Sequence, residues 1–319
     1  MLNKKPLQVI PVSHPIAVNA GVRLFMARAD EVHPLASGNK IYKLKPILDF
    51  AKNNNINQLL SFGGAFSNHI HALALITEQY GLRSVGIIRG EKEYANNPTL
   101  QDAKNAGMQL EFVSREVYKQ RNNASYLENL QKQFPNSFII PEGGSSQMAL
   151  AGCAELAKDI NLLQQSDIVT VASGTGATLS GLVCGATANQ KVTAYAVLKD
   201  KSLAARVEQF LALEGCDNNN YGIIEADFGG YAKLDKSLLD FILTWYEETG
   251  ILLDPIYTGK MCMRLMQQIE AGDFDSGMSI TIVHSGGLQG WRGMQSKVES
   301  LAGTKVWKLI FGLLCPRAN

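Results

Sequence analysis

The sequence has little that a disulfide-linked or metal-dependent protein would need. Only five cysteines occur in 319 residues, more than 30 positions apart and without a Cys-x-x-Cys pair. This spacing favours neither a disulfide framework nor a zinc site, and we expect a reducing, cytoplasmic setting. His69 and His71 are two positions apart and so face different sides of a helix, and His14, His33 and His284 have no acidic or histidine neighbour at ligand spacing. No metal site is predicted.

The chain also lacks an excess of one charge and a long apolar run. It has 30 Lys+Arg against 29 Asp+Glu, so no strong field would attract nucleic acid or an anionic membrane surface. Residues 168–190 are uncharged but rich in Ser, Thr, Gly and Asn, which is typical of a strand, a loop and a helix rather than a membrane span. Pro6 and Pro11 interrupt residues 1–12, so no signal peptide is expected. We predict neither nucleic-acid nor membrane partners.

What is present is a large apolar fraction, 46%, arranged as short β-rich runs that alternate with amphipathic stretches. Such alternation predicts an α/β fold whose parallel-rich, twisted sheets are flanked by helices. The predicted strands are 58–62, 84–89, 110–114, 137–141, 167–173, 192–198, 221–226 and 279–284. The predicted helices include 68–80, 148–163, 178–188, 203–213, 236–249 and 260–271.

Glycine-containing loops follow several of these strands, at the sheet edge where ligands bind. The loops are 37–40, 63–69, 173–178 and 284–287. In loop 173–178, glycines and small hydroxyl residues join a strand to a helix, which suits an anion at a positive helix end. Leu179 stands where a dinucleotide-binding loop needs its third glycine, and no lysine follows as in a nucleoside triphosphate loop. The ligand that remains for this loop is a single compact phosphate. The alternative is that the loop is only a tight turn between a strand and a helix.

Lys40 adds chemistry to this loop. A lysine at the start of a predicted helix is usually surface charge. A phosphate loop combined with one lysine and no metal ligands instead indicates pyridoxal phosphate, whose aldehyde forms a Schiff base with the lysine.

Six motifs in register then carry a resemblance to a known family. The chain resembles the 1-aminocyclopropane-1-carboxylate (ACC) deaminase and D-cysteine desulfhydrase family from about residue 20 to 290. The motifs are Gly38-Asn39-Lys40 with Lys43-Leu44, Gly63-Gly64 with Ser67-Asn68-His69, Pro141-Glu142-Gly143-Gly144-Ser145, loop 173–178, Leu253-Asp254-Pro255-Ile256-Tyr257-Thr258-Gly259-Lys260 and His284-Ser285-Gly286-Gly287-Leu288.

The resemblance implies a tryptophan-synthase-β-like fold with pyridoxal phosphate between two domains. Residues 1–42 and 148–319 would form a large cofactor-binding domain, and 43–147 a small α/β domain. The family also suggests a homodimer. The apolar segment 306–315 would be either a packed last helix or an oligomer contact, and loop 90–98, short for the family, would reshape the mouth of the pocket.

The resemblance also implies roles for single residues. Lys40 matches the Schiff-base lysine, which would also move the proton at Cα. Asn68 matches the residue that binds the ring hydroxyl of the cofactor, and Ser67 places a hydroxyl beside the substrate, although both also suit a helix N-cap. Tyr257 and Tyr231 match active-site tyrosines, with a core position as the alternative for Tyr231. The cofactor phosphate would be held by Ser173, Gly174, Thr175, Gly176, Ala177 and Thr178.

The group facing the pyridine nitrogen separates the family members. ACC deaminases resemble one another in carrying Glu where this chain has Thr258, so Thr258 or Ser285 would offer only a neutral hydroxyl. A weaker electron sink suits α,β-elimination of a good leaving group from D-cysteine, giving pyruvate, ammonia and sulfide. ACC deamination is the alternative, followed by a dehydratase or racemase. A catalytically silent small-molecule binding protein is the non-enzyme alternative.

Overall fold

The computed structural model describes residues 4–34 and 37–314, which contain two sheets. One sheet has six strands in the order β1-β2-β10-β7-β8-β9, and the other has four in the order β5-β4-β3-β6. The strands are β1 Val9–Val12, β2 Arg23–Ala27, β3 Gln58–Gly64, β4 Arg83–Arg89, β5 Gln109–Val113, β6 Ser137–Ile140, β7 Ile168–Ser173, β8 Lys191–Ala196, β9 Tyr221–Glu225 and β10 Ser279–Val283. The α/β prediction is confirmed.

The six-stranded sheet is parallel except at one edge. β1 pairs antiparallel with β2, and the register places Val9 opposite Ala27. Neither strand was among the predicted ones, because both are short and Pro11 interrupts the first. Proline cannot donate to a ladder, and its position in an edge strand is one where that loss is tolerated.

The four-stranded sheet is parallel throughout and is built from one continuous part of the chain, residues 58–140. The six-stranded sheet takes its strands from both sides of that part. The predicted domain boundaries at 42/43 and 147/148 stay a prediction. Helix α2, which starts at Asn39, runs across the first of them.

Helices flank both sheets, and the six with predicted bounds begin within two residues of their predicted starts. They are α1 Pro15–Asn19, α2 Asn39–Asn53, α3 Asn68–Gln79, α4 Pro98–Asn105, α5 Arg115–Lys119, α6 Ala124–Gln133, α7 Gln147–Leu163, α8 Ala177–Gly185, α9 Leu203–Glu214, α10 Lys236–Thr249, α11 Thr258–Glu270 and α12 Gln295–Leu314. Short 3-10 turns span Ala29–Glu31, Lys92–Asn96, Glu142–Gly144 and Leu288–Gly293. None of the helices in the described ranges is long and apolar enough to cross a membrane.

The end of α12 is partly packed and partly open. Trp307 and Ile310 are buried in the core of the larger sheet, whereas Leu309 and Phe311 are 50% and 45% exposed. The described part of the predicted segment 306–315 is therefore helical and packs against the core through one face. Its last residue, Cys315, lies outside the described residues, and the oligomer contact stays a prediction.

Contacts between α4 and the turn Leu288–Gly293 join the two sheets near their ligand-binding edges. Arg292 forms an ion pair with Asp102 of α4, and the Thr99 hydroxyl donates a 2.9 Å hydrogen bond to Oε1 of Gln289. Gln289 in turn donates from Nε2 to Oδ1 of Asn68. The segments that follow β3 and β10 consequently meet in one region.

Candidate active site

Lys40 lies in the first turn of α2 and is tied to the glycine-rich loop after β7. Its Nζ donates a 2.7 Å hydrogen bond to Oδ1 of Asn39, and Nδ2 of Asn39 donates to the Thr178 hydroxyl at 2.7 Å. Asn39 is buried, so this bridge is shielded from water. The structure thus brings together the two features, lysine and loop, that the sequence separates by more than 130 positions.

The environment of Lys40 favours its uncharged form. Burial, together with the positive charge of Lys43, lowers the pKa of the Lys40 amine from 10.5 to about 7. Lys43 is itself 2% exposed and donates to the carbonyl oxygen of Gly143 at 3.4 Å. A large fraction of Lys40 is therefore a neutral amine near pH 7, and a neutral amine can attack an aldehyde.

Loop 173–178 has the geometry of an anion site. Gly176 adopts φ +90°, a left-handed conformation open to glycine, at the position that starts α8. The guanidinium of Arg206 donates to the carbonyl oxygens of Gly174 and Thr175 at 3.4 and 3.3 Å. Because a peptide N–H points away from its C=O, the N–H groups that follow face the opposite side of the loop.

One polar atom in this loop points to a ligand directly. The Ser173 hydroxyl is buried and has no hydrogen-bond partner among the described residues. Buried hydroxyls are normally satisfied, and phosphate oxygens would accept its hydrogen. The loop and the lysine therefore fit pyridoxal phosphate, and Lys43, which sequence reasoning left without a role, adds a buried positive charge nearby.

Ser67 and Asn68 form the start of α3. The Ser67 hydroxyl accepts from the Ile70 N–H at 3.3 Å, so Ser67 is an N-cap, as the alternative reading proposed. Asn68 is half-buried and faces Gly287, which has φ +96°. A Cβ at Gly287 would lie 2.9 Å from Nδ2 of Asn68, so only glycine lets the two loops approach this closely.

The two candidate tyrosines lie close to each other but in different surroundings. The Tyr257 ring packs against Gly174, with Cε1 3.6 Å from the point where a Cβ would sit. Burial, and then the neighbouring Tyr231 hydroxyl, raise the pKa of Tyr257 well above its ordinary value, so its hydroxyl keeps its proton. Tyr231 is 42% exposed, which excludes the core position considered for it.

Thr258 and Ser285 differ in what their hydroxyls do. Thr258 is fully buried, and its hydroxyl donates to Asp254. The Asp254 carboxylate also accepts from the N–H groups of Ile256, Tyr257 and Thr258 at 3.0, 2.7 and 2.7 Å.

Ser285, in contrast, is half-buried just after β10, and its hydroxyl has no hydrogen bond within residues 4–34 and 37–314. Sequence reasoning missed the buried carboxylate of Asp254. The only signal for it was its position in the Leu253–Lys260 motif.

His69 is a second residue without a predicted role. Its Nε2 lies 2.8 Å from the Ser61 hydroxyl, which also donates to the Ile140 carbonyl oxygen at 2.9 Å. Nε2 must then carry the imidazole hydrogen, which leaves Nδ1 as a buried acceptor without a partner. Burial and the charges of Lys40 and Lys43 lower the pKa of His69 to about 3, so the ring is neutral.

Two of the other histidines are paired with carboxylates. His14 pairs with Glu248 and His71 with Asp102, each at 2.9 Å, through acidic residues that are remote in sequence. The part of the chain that the structure describes holds no cluster of metal-ligating side chains. Its four cysteines, Cys153, Cys184, Cys216 and Cys262, are free thiols.

Lys40 with its lowered pKa, the glycine-rich loop at the start of α8 and the Tyr257 ring beside Gly174 together fit a pyridoxal-phosphate site on an α/β fold. Comparison with known proteins agrees with this chemistry. Residues 9–286 match the family model described as "Pyridoxal-phosphate dependent enzyme". The chain belongs to that family. Its cofactor is pyridoxal phosphate.

The chain is similar to particular members of this family. The chain is 28% identical to the bifunctional, mitochondrial D-cysteine desulfhydrase/1-aminocyclopropane-1-carboxylate deaminase of Arabidopsis thaliana, over 89% of this chain and 77% of that protein. It is 26% identical to the D-cysteine desulfhydrase of Klebsiella pneumoniae, over 88% of this chain and 91% of that one. The crystal structure of an ACC deaminase homologue superposes with a TM-score of 0.82 at 24% identity and covers 94% of this chain and 95% of that one. That superposition shows the fold.

Proposed function

We propose that this enzyme catalyses α,β-elimination on a small amino acid, in the manner of a D-cysteine desulfhydrase, and releases pyruvate and ammonia. The two named relatives support a reaction of this kind, since both carry D-cysteine desulfhydrase in their names. Bound pyridoxal phosphate supplies an aldehyde and an electron-accepting ring, which stabilises negative charge at Cα of an amino acid.

Lys40 is the residue that we assign to the cofactor and to proton transfer. Its amine, with a pKa of about 7, is nucleophilic enough to bind the aldehyde near neutral pH. The same Nζ would also take the Cα proton of the substrate, because a base works best when its pKa lies near the working pH. Ser173, Gly174, Thr175, Gly176, Ala177 and Thr178 are the residues that we assign to the phosphate.

The start of α3 is the proposed site of the substrate carboxylate. Ser67 and Asn68 offer polar side chains at the positive end of a helix of 12 residues. Tyr257 keeps its proton and can therefore donate a hydrogen bond to the leaving group. Tyr231, in the loop between β9 and α10, would cover the substrate.

The main support for α,β-elimination is the group that we expect to face the pyridine nitrogen of the cofactor. We assign this position to Ser285, because its hydroxyl is half-buried and unbonded within the described residues, whereas Thr258 is fully buried and bonded to Asp254. A neutral hydroxyl leaves the ring a modest electron sink. Such a sink is sufficient to expel thiolate and less suited to opening a cyclopropane.

We also propose the organisation expected from the sequence. Residues 43–147 would move as a small domain, and its approach to the rest of the chain would bring Ser67 and Asn68 to the substrate and exclude water. A homodimer and a cytoplasmic location complete the proposal. The exposed side chains of Leu309 and Phe311 support a contact between copies.

The first test is to incubate purified protein with pyridoxal phosphate and D-cysteine and to measure pyruvate and sulfide. We expect both products from the wild type, an absorbance band that depends on Lys40, and no turnover by Lys40→Ala. Release of 2-oxobutanoate from ACC, without pyruvate from D-cysteine, would instead establish the ACC deaminase alternative. A protein that stays colourless after incubation with the cofactor would contradict the enzyme proposal and support a binding protein.

A further inference from the structure

A cavity of about 400 Å³ lies at the carboxyl edge of the four-stranded sheet, beside the candidate active site. Four basic side chains line it: Arg89, Arg115, Lys119 and Arg121. They come from the end of β4, from α5 and from the loop after α5. We call this space the cationic cavity.

The positive charge of the cationic cavity is largely uncompensated. Arg121 is neutralised by Glu142, with Nε 2.7 Å from a carboxylate oxygen. Arg89, Arg115 and Lys119 form no ion pair within residues 4–34 and 37–314. Because the whole chain has a formal charge of only +1, this concentration of charge is local.

Two aromatic contacts hold the guanidinium groups at the cavity wall. The Arg89 guanidinium carbon lies 5.6 Å from the centre of the Tyr118 ring, and that of Arg121 lies 5.1 Å from it. Cations favour the face of an aromatic ring at this range. The Tyr118 hydroxyl donates to Glu142 at 2.7 Å, which fixes the ring itself.

The cavity opens toward the groups proposed to bind substrate. Its wall includes Gly64, Ala65 and Phe66, which directly precede Ser67, and also Tyr231. Nη2 of Arg89 is 3.5 Å from the point where a Cβ on Gly64 would sit, so the guanidinium lies close to the loop that leads into Ser67. Arg89 is also close enough to Tyr231 for its charge to act on the tyrosine hydroxyl.

We propose that the cationic cavity binds a tetrahedral oxyanion carried on Cβ of the substrate, so that the enzyme acts on amino acids with a phosphate-ester or sulfonate β-substituent. Arginine is suited to this task because its fork of N–H donors matches oxyanion geometry. This inference rests on the proposed elimination and names its substrate class.

The reaction then balances without a further reactant. Lys40 Nζ takes the Cα proton, the Cβ–O or Cβ–S bond breaks, and the electron pair leaves with phosphate or sulfite into the cationic cavity. Hydrolysis of the three-carbon remainder gives pyruvate and ammonium.

Binding to the holoenzyme tests the inference apart from turnover. O-phosphoserine and cysteine sulfonate, each as both enantiomers, are mixed rapidly with the holoenzyme, and binding is measured from the cofactor absorbance before turnover, beside serine, which lacks the anion. We expect one enantiomer of an anionic ligand to bind at least about tenfold more tightly than serine, as one charge-assisted bidentate contact would give. The phosphate and sulfonate arms distinguish the two sources of the oxyanion.

Variants of the lining residues test whether the cationic cavity causes the preference for anionic ligands. Arg89→Gln and Arg115→Gln should each reduce affinity for the anionic ligand about tenfold and leave serine binding unchanged within about twofold. Arg83→Gln is the matched control, because Arg83 is an exposed arginine at the opposite end of the same strand, β4. Equal affinity for anionic and neutral ligands, or a preference that survives both cavity variants, would overturn the inference.

Turnover separates this inference from the proposed function. Pyruvate from D-cysteine with no preference for anionic ligands would keep the elimination and refute the anion site. Selective, Arg89-dependent binding of the anion without pyruvate from any ligand would keep the site and refute the elimination.

Discussion

The side-chain nitrogen of Lys260 donates a 2.6 Å hydrogen bond to the carbonyl oxygen of Gly230, the residue before Tyr231. A second 2.6 Å bond goes from the same nitrogen to the Asp227 carbonyl oxygen. Lys260 is fully buried in α11, two positions after Thr258. One lysine thus links the helix that starts at the candidate site to the loop that carries a candidate active-site tyrosine.

Replacement of Lys260 by Met should loosen this loop. Two carbonyl oxygens would lose their donor, and we expect the free energy of unfolding to fall by about 1–3 kcal/mol. Turnover should fall by about tenfold because Tyr231 would no longer be held in place. Urea unfolding and steady-state kinetics measure the two effects. Lys236→Met, at an exposed position of α10, is the control, and equal effects of the two variants would rule out a positioning role for Lys260.

Lys40 should make the stability of the cofactor-free protein depend on pH. Its pKa is about 7 when folded and 10.5 in the unfolded reference, so the unfolded chain binds more protons between these values. The free energy of unfolding due to this group therefore rises with pH from about 7 to 10.5. The free energy of unfolding of Lys40→Met should exceed that of the wild type by roughly 2–4 kcal/mol at pH 7. The difference should be smaller near pH 10.

Urea unfolding of both apoproteins at several pH values checks this. Lys45→Met is the control, since Lys45 lies exposed in the same helix. A stability difference that does not change with pH would mean that the folded protein leaves the Lys40 pKa at its ordinary value.

Arg206 should support cofactor binding without touching the cofactor. It bonds the Gly174 and Thr175 carbonyl oxygens and is itself held by Asp200 at 2.7 Å. Arg206→Ala should weaken pyridoxal-phosphate affinity about tenfold, because the loop N–H groups would lose their orientation. Fluorescence titration measures the dissociation constant. Glu208→Ala, at an exposed position in the same helix, should leave it unchanged.

Asp254 should stabilise the start of α11. Its removal in Asp254→Ala would orphan three backbone N–H groups and the Thr258 hydroxyl in a fully buried place. We expect a loss of about 2–4 kcal/mol in the free energy of unfolding. Asp254→Asn keeps one acceptor oxygen and should lose less. Denaturation midpoints that rank the two variants the other way would contradict this capping role.

The residues that sequence alone placed correctly are those fixed by local chemistry. Gly176 needs left-handed backbone at a strand–helix junction, Ser67 caps a helix, and the strands that lead into both read as short apolar runs. Each of these signals depends on residues within a few positions of one another. They also determined the α/β fold and the family resemblance, whereas edge strand β1 was missed because Pro11 hides its pattern.

Only the tertiary structure decided which side chains meet. The lowered pKa of Lys40 requires burial beside Lys43, and the capture of the Thr258 hydroxyl by Asp254 requires the tight turn before α11. The cationic cavity joins Arg89 and Arg115 to Tyr231, which is more than 100 positions away in the chain. Desolvation and charge act through space, so residues whose chemistry depends on distant neighbours acquire it only when the chain has folded.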